Sequence, residues 1–304
     1  MERRHVAGHE PEDEAVKTIN VVGCGNVGKT LSRLWTRHRV FRVQSILNRS
    51  LGSGLRAVDF VGSGCAVESY SQLERADLVM ISTSDEAIEG CCEQLCRAGI
   101  LEKGVLVFHV SGSLPSTLLE PARVQGALIA SVHPVKSFAD PARAVETFAG
   151  TLCAVEGDPE ALGVIRDCLD ACGATTFPVD PRFKTIYHAG TVVVSNYLVA
   201  LMEVGLRCLE KAAIPRETAL EILQPIVTGT VENLFELGPV AALTGPIARG
   251  ERSVVEGQHQ ALGEWDEAIR AVYRSLGQIA VDLSAAQGNA DPEALAAIRR
   301  TLEE

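Results

Sequence analysis

The chain lacks a positive balance. Lys and Arg number 28 against 39 Asp and Glu, giving a formal net charge of −11. That argues against non-specific binding to nucleic acid or an anionic membrane, both of which need basic patches. It also lacks a C-x-x-C pair, and its nine cysteines are an odd number. Cys91, Cys92 and Cys96 share one helical stretch, as do Cys168 and Cys172. They read as small apolar packing residues of a reducing compartment, and no metal site is expected. No basic-plus-apolar leader opens the sequence, so a cytoplasmic protein is expected. The most apolar stretch, Thr191 to Leu206, is interrupted by Ser195, Asn196 and Glu203. It reads as too short and too polar to span a bilayer, and as a buried helix instead. Internal repeats and low-complexity segments are missing too. The length, 304 residues, suits one or two domains with ample core.

What is present is a glycine-rich turn. Ile19 to Val22 forms an apolar run, and Gly23, Gly25 and Gly28 follow as G-x-G-x-x-G, with Asn26 and Val27 between them. An amphipathic helix comes next, to Arg37. The first glycine makes the tight turn, the second lets the backbone approach a pyrophosphate, and the third lets helix and strand pack closely. The helix N-terminus then offers N–H groups and a positive dipole end to phosphates. Strand before and helix after are the context this motif requires.

A second strand, Val40–Leu47, ends at Asn48-Arg49-Ser50, and Gly52 and Gly54 are expected to form a loop. Asn48 stands 20 residues past Gly28, where an NAD-binding unit places an acid on the ribose 2′-hydroxyl. No acid is there. Arg49 can pair with a 2′-phosphate, with Asn48 and Ser50 hydrogen-bonding it, so NADP(H) is expected rather than NAD(H). Further strands are expected at Leu78–Ser82, Val105–Val110, Ala127–Val132, Leu152–Val155 and Thr175–Val179. Thr83 and Ser84 are expected to cap a helix stopped by Gly99. Strands alternating with helices imply a doubly wound, mostly parallel sheet of the α/β class. Ligands of such sheets sit at the carboxyl ends of the strands, which puts Thr83, Ser84, Ser111, Ser113 and His133 on the cofactor side. Residues 1–17 are polar and aperiodic and read as a disordered tail. After Asp180-Pro181 only helices are expected, which divides the chain into a dinucleotide-binding domain at 18–180 and an all-α C-terminal domain at 181–304.

The first of those helices carries Lys184, His188, Thr191 and Ser195 within an arc of about 60°. Ile186, Val193 and Ala200 fall on the opposite face. Such a polar stripe suits a polar cleft. Lys184, near the helix start, sits where the dipole disfavours a cation, and His188 is of the residue type suited to proton transfer near neutrality, so either can serve as general acid. The same residues also admit plainer roles, with His188 as a satisfied core histidine and Thr191 and Ser195 bonding back to helix carbonyls. A third stretch, Leu243 to Glu251, places Arg249 on a loop fixed by Gly245-Pro246 and Gly250, where it can clamp a carboxylate or brace the loop. Ser253 and Glu256 read as a capping box.

Five segments together resemble Rossmann-like proteins that carry a C-terminal DUF2520 domain, similar to the 6-phosphogluconate dehydrogenase superfamily. They are Val22 to Gly28, His109 to Ser113, Val132-His133-Pro134, Tyr187-His188-Ala189 with Ser195-Asn196-Tyr197, and Thr244 to Gly250. The resemblance implies an NADP-type Rossmann domain, a helical domain that commonly mediates dimerisation, and an oxidoreductase role. It also points to ketopantoate reductases, pyrroline-carboxylate reductases and 3-hydroxyacid dehydrogenases as relatives. The last carry a catalytic Lys with an Asn four residues on; Lys184 matches the Lys, and His188 stands in place of the Asn.

The expectation is an NADPH-dependent reductase of a small carboxylate-bearing substrate, such as the 2-oxo acid 2-dehydropantoate. Lys184 or His188 is expected to give the proton. Lys136 or Arg249 is expected to hold the carboxylate, with Ser113, His133, Ser195 and Asn196 completing the substrate site. Imine reduction of the pyrroline-carboxylate type and a non-catalytic NADP-binding sensor are the alternatives. An S-adenosylmethionine-dependent methyltransferase fits less well, for want of an acid after the second strand.

Overall fold

A computed structural model describes residues 16–304. The expected tail at 1–17 therefore falls, up to residue 15, outside the described residues. The first unit alternates strands and helices: β1 Thr18–Val22, α1 Asn26–Arg37, β2 Arg42–Leu47, α2 Leu51–Val61, β3 Cys65–Val67, β4 Leu78–Ile81, α3 Ile88–Ala98, β5 Leu106–His109, α4 Glu120–Val124, β6 Leu128–Pro134, α5 Pro141–Glu146, β7 Leu152–Gly157, α6 Pro159–Asp170 and β8 Thr175–Pro178. The eight strands form one sheet in the order β3-β2-β1-β4-β5-β6-β7-β8. Every neighbouring pair is parallel except β6 with β7. β4 and β5 are buried at every residue, as continuous apolar runs must be when helices cover both faces.

Those faces hold two cores. On one, Val21, Met80 and Phe108 pack with Leu31 and Trp35 of α1 and Ile165 of α6. On the other, Val79, Ile81, Val107 and Ile129 pack with Ile88, Cys92 and Leu95 of α3. Cys91, Cys92 and Cys96 belong to this second cluster, the packing role expected of them. One register row runs along its upper edge across six strands: Leu47, Val22, Ile81, His109, Ser131 and Glu156. Partners in a row share a face. Its first three members are apolar and its last three polar, so a polar strip enters an otherwise apolar face at β5.

Three local expectations are corrected. Gly52 and Gly54 are helical, not a loop. Ser50 caps α2, its Oγ accepting from Ser53 N at 3.3 Å, and Ala57 and Val61 bury the inner face. Gly54 earns its place by contact, since a Cβ there would lie 3.1 Å from that of Ala66. Thr83 and Ser84 do not cap α3. A short turn, Asp85–Ala87, intervenes, and the helix starts at Ile88 with no side-chain cap, although Gly99 stops it at φ +65°. Ser253 and Glu256 make no capping box: Glu251 takes the N-cap position and Glu256 pairs with Arg252 at 2.6 Å.

Asp180 accepts from Arg182 N at 2.9 Å and starts the turn that leads into α7, Lys184–Lys211. α8 Arg216–Ala242, α9 Arg252–Trp265, α10 Glu267–Gln287 and α11 Pro292–Glu303 complete the chain. Two compact units result, ending at Val194 and starting at Ser195, so the first turns of α7 belong with the sheet. The second unit has its own small core of Val255, Val281, Leu295, Ile298 and Leu302. α7 is not the buried helix expected from Thr191 to Leu206. Val194 and Val199 are each 72% exposed. Nor is the span too short: Pro181–Lys211 is long and apolar enough, by length and composition, to cross a membrane.

Candidate active site

Two adjoining cavities open at the carboxyl ends of the first-unit strands. The larger, 750 Å³, is floored by the glycine-rich turn. Gly23 has φ +81°, and a Cβ there would lie 2.8 Å from Thr83 N, so only glycine fits. Gly28 faces Ser82, whose Oγ donates to Gly23 O at 2.6 Å and ties β4 to the turn. Gly25 is different: a Cβ there would meet nothing within 4 Å, so its bare backbone faces open space. It is also the N-cap of α1, with no side chain capping it. The first helical bond runs from Lys29 N to Gly25 O at 2.8 Å, which leaves the N–H groups of Asn26, Val27 and Gly28 ahead of the ladder.

Around this floor, Asn48 accepts from Cys24 N at 2.6 Å through Oδ1 and braces the turn. Arg49, Ser53, Arg56 and Lys29 line the same cavity. Arg56, Ser53 and Lys29 were missed in the sequence, because reading Gly52 and Gly54 as a loop hid the helix face that carries the first two. Ser50, spent on the cap, stands beside them rather than in the lining.

The smaller cavity, 390 Å³, shares Ser82, Thr83 and Ser84 with the first. Its far wall brings together Ser111, Gly112, His133, Lys136 and His188. Asn26 and Val27 also reach it, and Asn26 Nδ2 donates to Phe138 O at 2.8 Å. Ser111 Oγ accepts from the N–H groups of Ser113 and Leu114 at 3.1 and 3.0 Å, which folds the loop after β5. Lys136 donates to Thr147 O at 2.7 Å, and an ammonium keeps two further donors. The rings of His133 and His188 meet edge to face, centroids 5.4 Å apart.

Lys184 lies behind that wall and not in it. It is 2% exposed and anchored from three sides. Its Nζ donates to Ser111 O at 3.1 Å and to Ser131 Oγ, and pairs with Glu156 Oε1 at 3.5 Å. Burial pushes the ammonium down to about 8, against the opposing pull of Glu156. Glu156 also accepts from Ser116 N at 2.7 Å and Ser116 Oγ at 2.6 Å. His109 completes the strip. Its Nδ1 accepts from Ser111 N at 3.2 Å, so Nε2 carries the hydrogen towards Pro115 O at 3.1 Å. Burial, then the Lys184 charge, hold this imidazole down at about 4. Glu156, Ser131 and Ser116 were not found from the sequence.

The other expected residues are placed elsewhere. Ser113 follows the cavity loop without lining it, and its carbonyl accepts from Thr185 Oγ1 at 3.5 Å. Thr191 Oγ1 donates back to His188 O at 2.8 Å. Ser195 and Asn196 are exposed at the start of the second unit, bonded to each other at 3.0 Å. Arg249 makes a two-point pair with Glu251 in its own loop, both contacts 2.8 Å, so it braces that loop.

Residues 9–134 match the family model of a Rossmann-like domain, and residues 151–280 match that of DUF2520, a domain of unknown function. No curated protein sequence matches the chain. Among solved structures, the chain is similar to protein TM1727 of Thermotoga maritima, at 21% identity and TM-score 0.69, covering 88% of this chain and 99% of that one. It is similar to the "putative NADP oxidoreductase" of Bacteroides fragilis, at 20% identity and TM-score 0.69, covering 89% and 97%. The pyrroline carboxylate reductase of Plasmodium falciparum, solved with NADP bound, shares the fold at 12% identity and TM-score 0.54, covering 94% and 98%.

Proposed function

We propose that this chain, a Rossmann-like domain followed by a DUF2520 domain, is an NADPH-dependent reductase of a small carboxylate-bearing substrate, a 2-oxo acid such as 2-dehydropantoate. One observation carries the reading: a bare, uncapped Gly25 turn opens directly onto a second cavity walled by two histidines. The turn fits a pyrophosphate, since Gly25 leaves room for it and the α1 N-terminus offers donors and a positive dipole end. Arg49 and Arg56 both line the cavity and suit a 2′-phosphate; the acid in the lining, Glu68, follows β3 and not β2, where a ribose-binding acid would stand.

Bound NADPH would supply a hydride to the carbonyl carbon. The carbonyl oxygen then needs one proton. His188 faces the cavity and is the donor assigned to that step; Lys184, expected as the other donor, holds the Ser111 loop from behind. Lys136 pairs with the substrate carboxylate, because Arg249 already has Glu251. All nine cysteines are free, which suits a reducing, cytoplasmic setting. The exposed apolar face of α7 and α8 suits a second copy of this chain, giving a homodimer through the helical unit.

The test is NADPH oxidation by the purified full chain against 2-oxo acids, 2-dehydropantoate and cyclic imines. Turnover of a 2-oxo acid, lost in His188→Ala, is expected. Turnover of cyclic imines alone would move the assignment to imine reduction. NADPH binding with no turnover of any compound would favour a sensor.

A further inference from the structure

We propose that Tyr187 is a positioning residue that fixes His133 as its Nε2–H tautomer, so that His133 presents a hydrogen-bond donor to the substrate's carbonyl oxygen beside Gly112. The second clause rests on the reductase reading; the first does not. Tyr187 Oη lies 2.8 Å from His133 Nδ1. Burial raises the phenol to about 12, so it keeps its proton and is able to donate it. Burial, then His188 and Lys184, push the His133 imidazole down to about 4, so it holds one hydrogen at neutral pH. With Nδ1 accepting, that hydrogen sits on Nε2.

The geometry aims Nε2 at the cavity. A Cβ on Gly112 would come within 2.8 Å of His133 Nε2 and would strike the His188 ring as well. Gly112 is therefore the gap into which both rings point. Tyr187 is steadied in turn by Phe177 of β8, ring centroids 6.2 Å apart, and by the edge of His133 at 5.7 Å. The two histidines can then divide the work. His133, neutral, polarises the carbonyl without titrating, and His188 delivers the proton. A neutral imidazole donor aimed at developing negative charge is a known catalytic device.

Nitrogen-15 NMR of histidine-labelled full chain reads the tautomer directly, with His133→Asn to assign the signal. The expected result is a protonated Nε2, an acceptor-type Nδ1, and no titration between about pH 5 and 8. Tyr187→Phe should give mixed tautomers and lower kcat on the order of 10-fold, with NADPH affinity unchanged. A hydrogen on Nδ1 in the wild type, or an unaltered tautomer in Tyr187→Phe, would overturn the proposal. NADPH binding is measured on the same samples by fluorescence. Failure of the wild type to bind NADPH would count against the reductase reading, while the tautomer result still decides the role of Tyr187.

Discussion

The sheet unit and the helical unit treat their apolar side chains in opposite ways. In the sheet unit, Val79, Met80, Ile81, Val107 and Phe108 are at most 1% exposed, and the buried Lys184, Glu156, Ser131 and Ser116 are hydrogen-bonded to one another or to the loop after β5. In the helical unit, Phe235 of α8 is 84% exposed and Val199 of α7 is 72% exposed, while its core cluster is the small one of Val255, Val281, Leu295, Ile298 and Leu302. The difference separates two kinds of specification. The sheet unit closes on itself and holds a polar strip rigidly against an apolar face, as positioning a reactive group requires. The helical unit leaves large apolar side chains on its surface, the kind of patch that suits a partner.

The comparison breaks most visibly at the buried ion pair. Glu156→Leu strands the Lys184 charge, and a loss of about 3–5 kcal/mol in the first unit is expected by denaturant unfolding. Arg249→Ala, at an exposed pair of the second unit, should leave the same midpoint where it was. Acid is the next lever. Below its unfolded value of 6.5 the His109 imidazole takes up a proton in the unfolded chain, but the folded chain refuses it down to about 4. Stability therefore falls as pH drops through that window, by about 3 kcal/mol from this group, and His109→Gln should flatten the dependence. The homodimer proposed for the helical unit sharpens the contrast. Phe235→Glu should weaken self-association by roughly 30-fold in sedimentation, with the sheet unit's unfolding unchanged. The smallest effect concerns Ala213, which holds φ +63° after α7. Ala213→Gly relieves that strain, and a gain of about 0.5–1 kcal/mol is expected in thermal unfolding.

Much of the sheet unit was legible because its signals are local. Short apolar runs bounded by turn residues mark the strands, and Gly23 and Gly28 make the tight turn and the close packing that their spacing implied. α2 was misread because Gly52 and Gly54 usually interrupt helices; the Ser50 cap is a local signal that was passed over, while the contact of Gly54 with Ala66 is a tertiary fact. The Lys184 network was out of reach for a stronger reason. Ser111, Ser131 and Glu156 lie on or after three different strands, and only the sheet register brings them under one ammonium. Lys184 and His188 share a helix face by periodicity, yet one is buried behind the loop and the other faces the cavity. One turn of helix separates an anchor from a candidate donor, and periodicity alone does not tell them apart.

The most direct test is a calorimetric titration of NADPH and NADH into the full chain, its Gly25→Val variant and its Arg49→Asp variant. NADPH should bind more tightly than NADH. Gly25→Val should abolish binding by filling the space left for the pyrophosphate, and Arg49→Asp should erase the preference. No binding of NADPH by the wild type, or undiminished binding in Gly25→Val, would contradict the account.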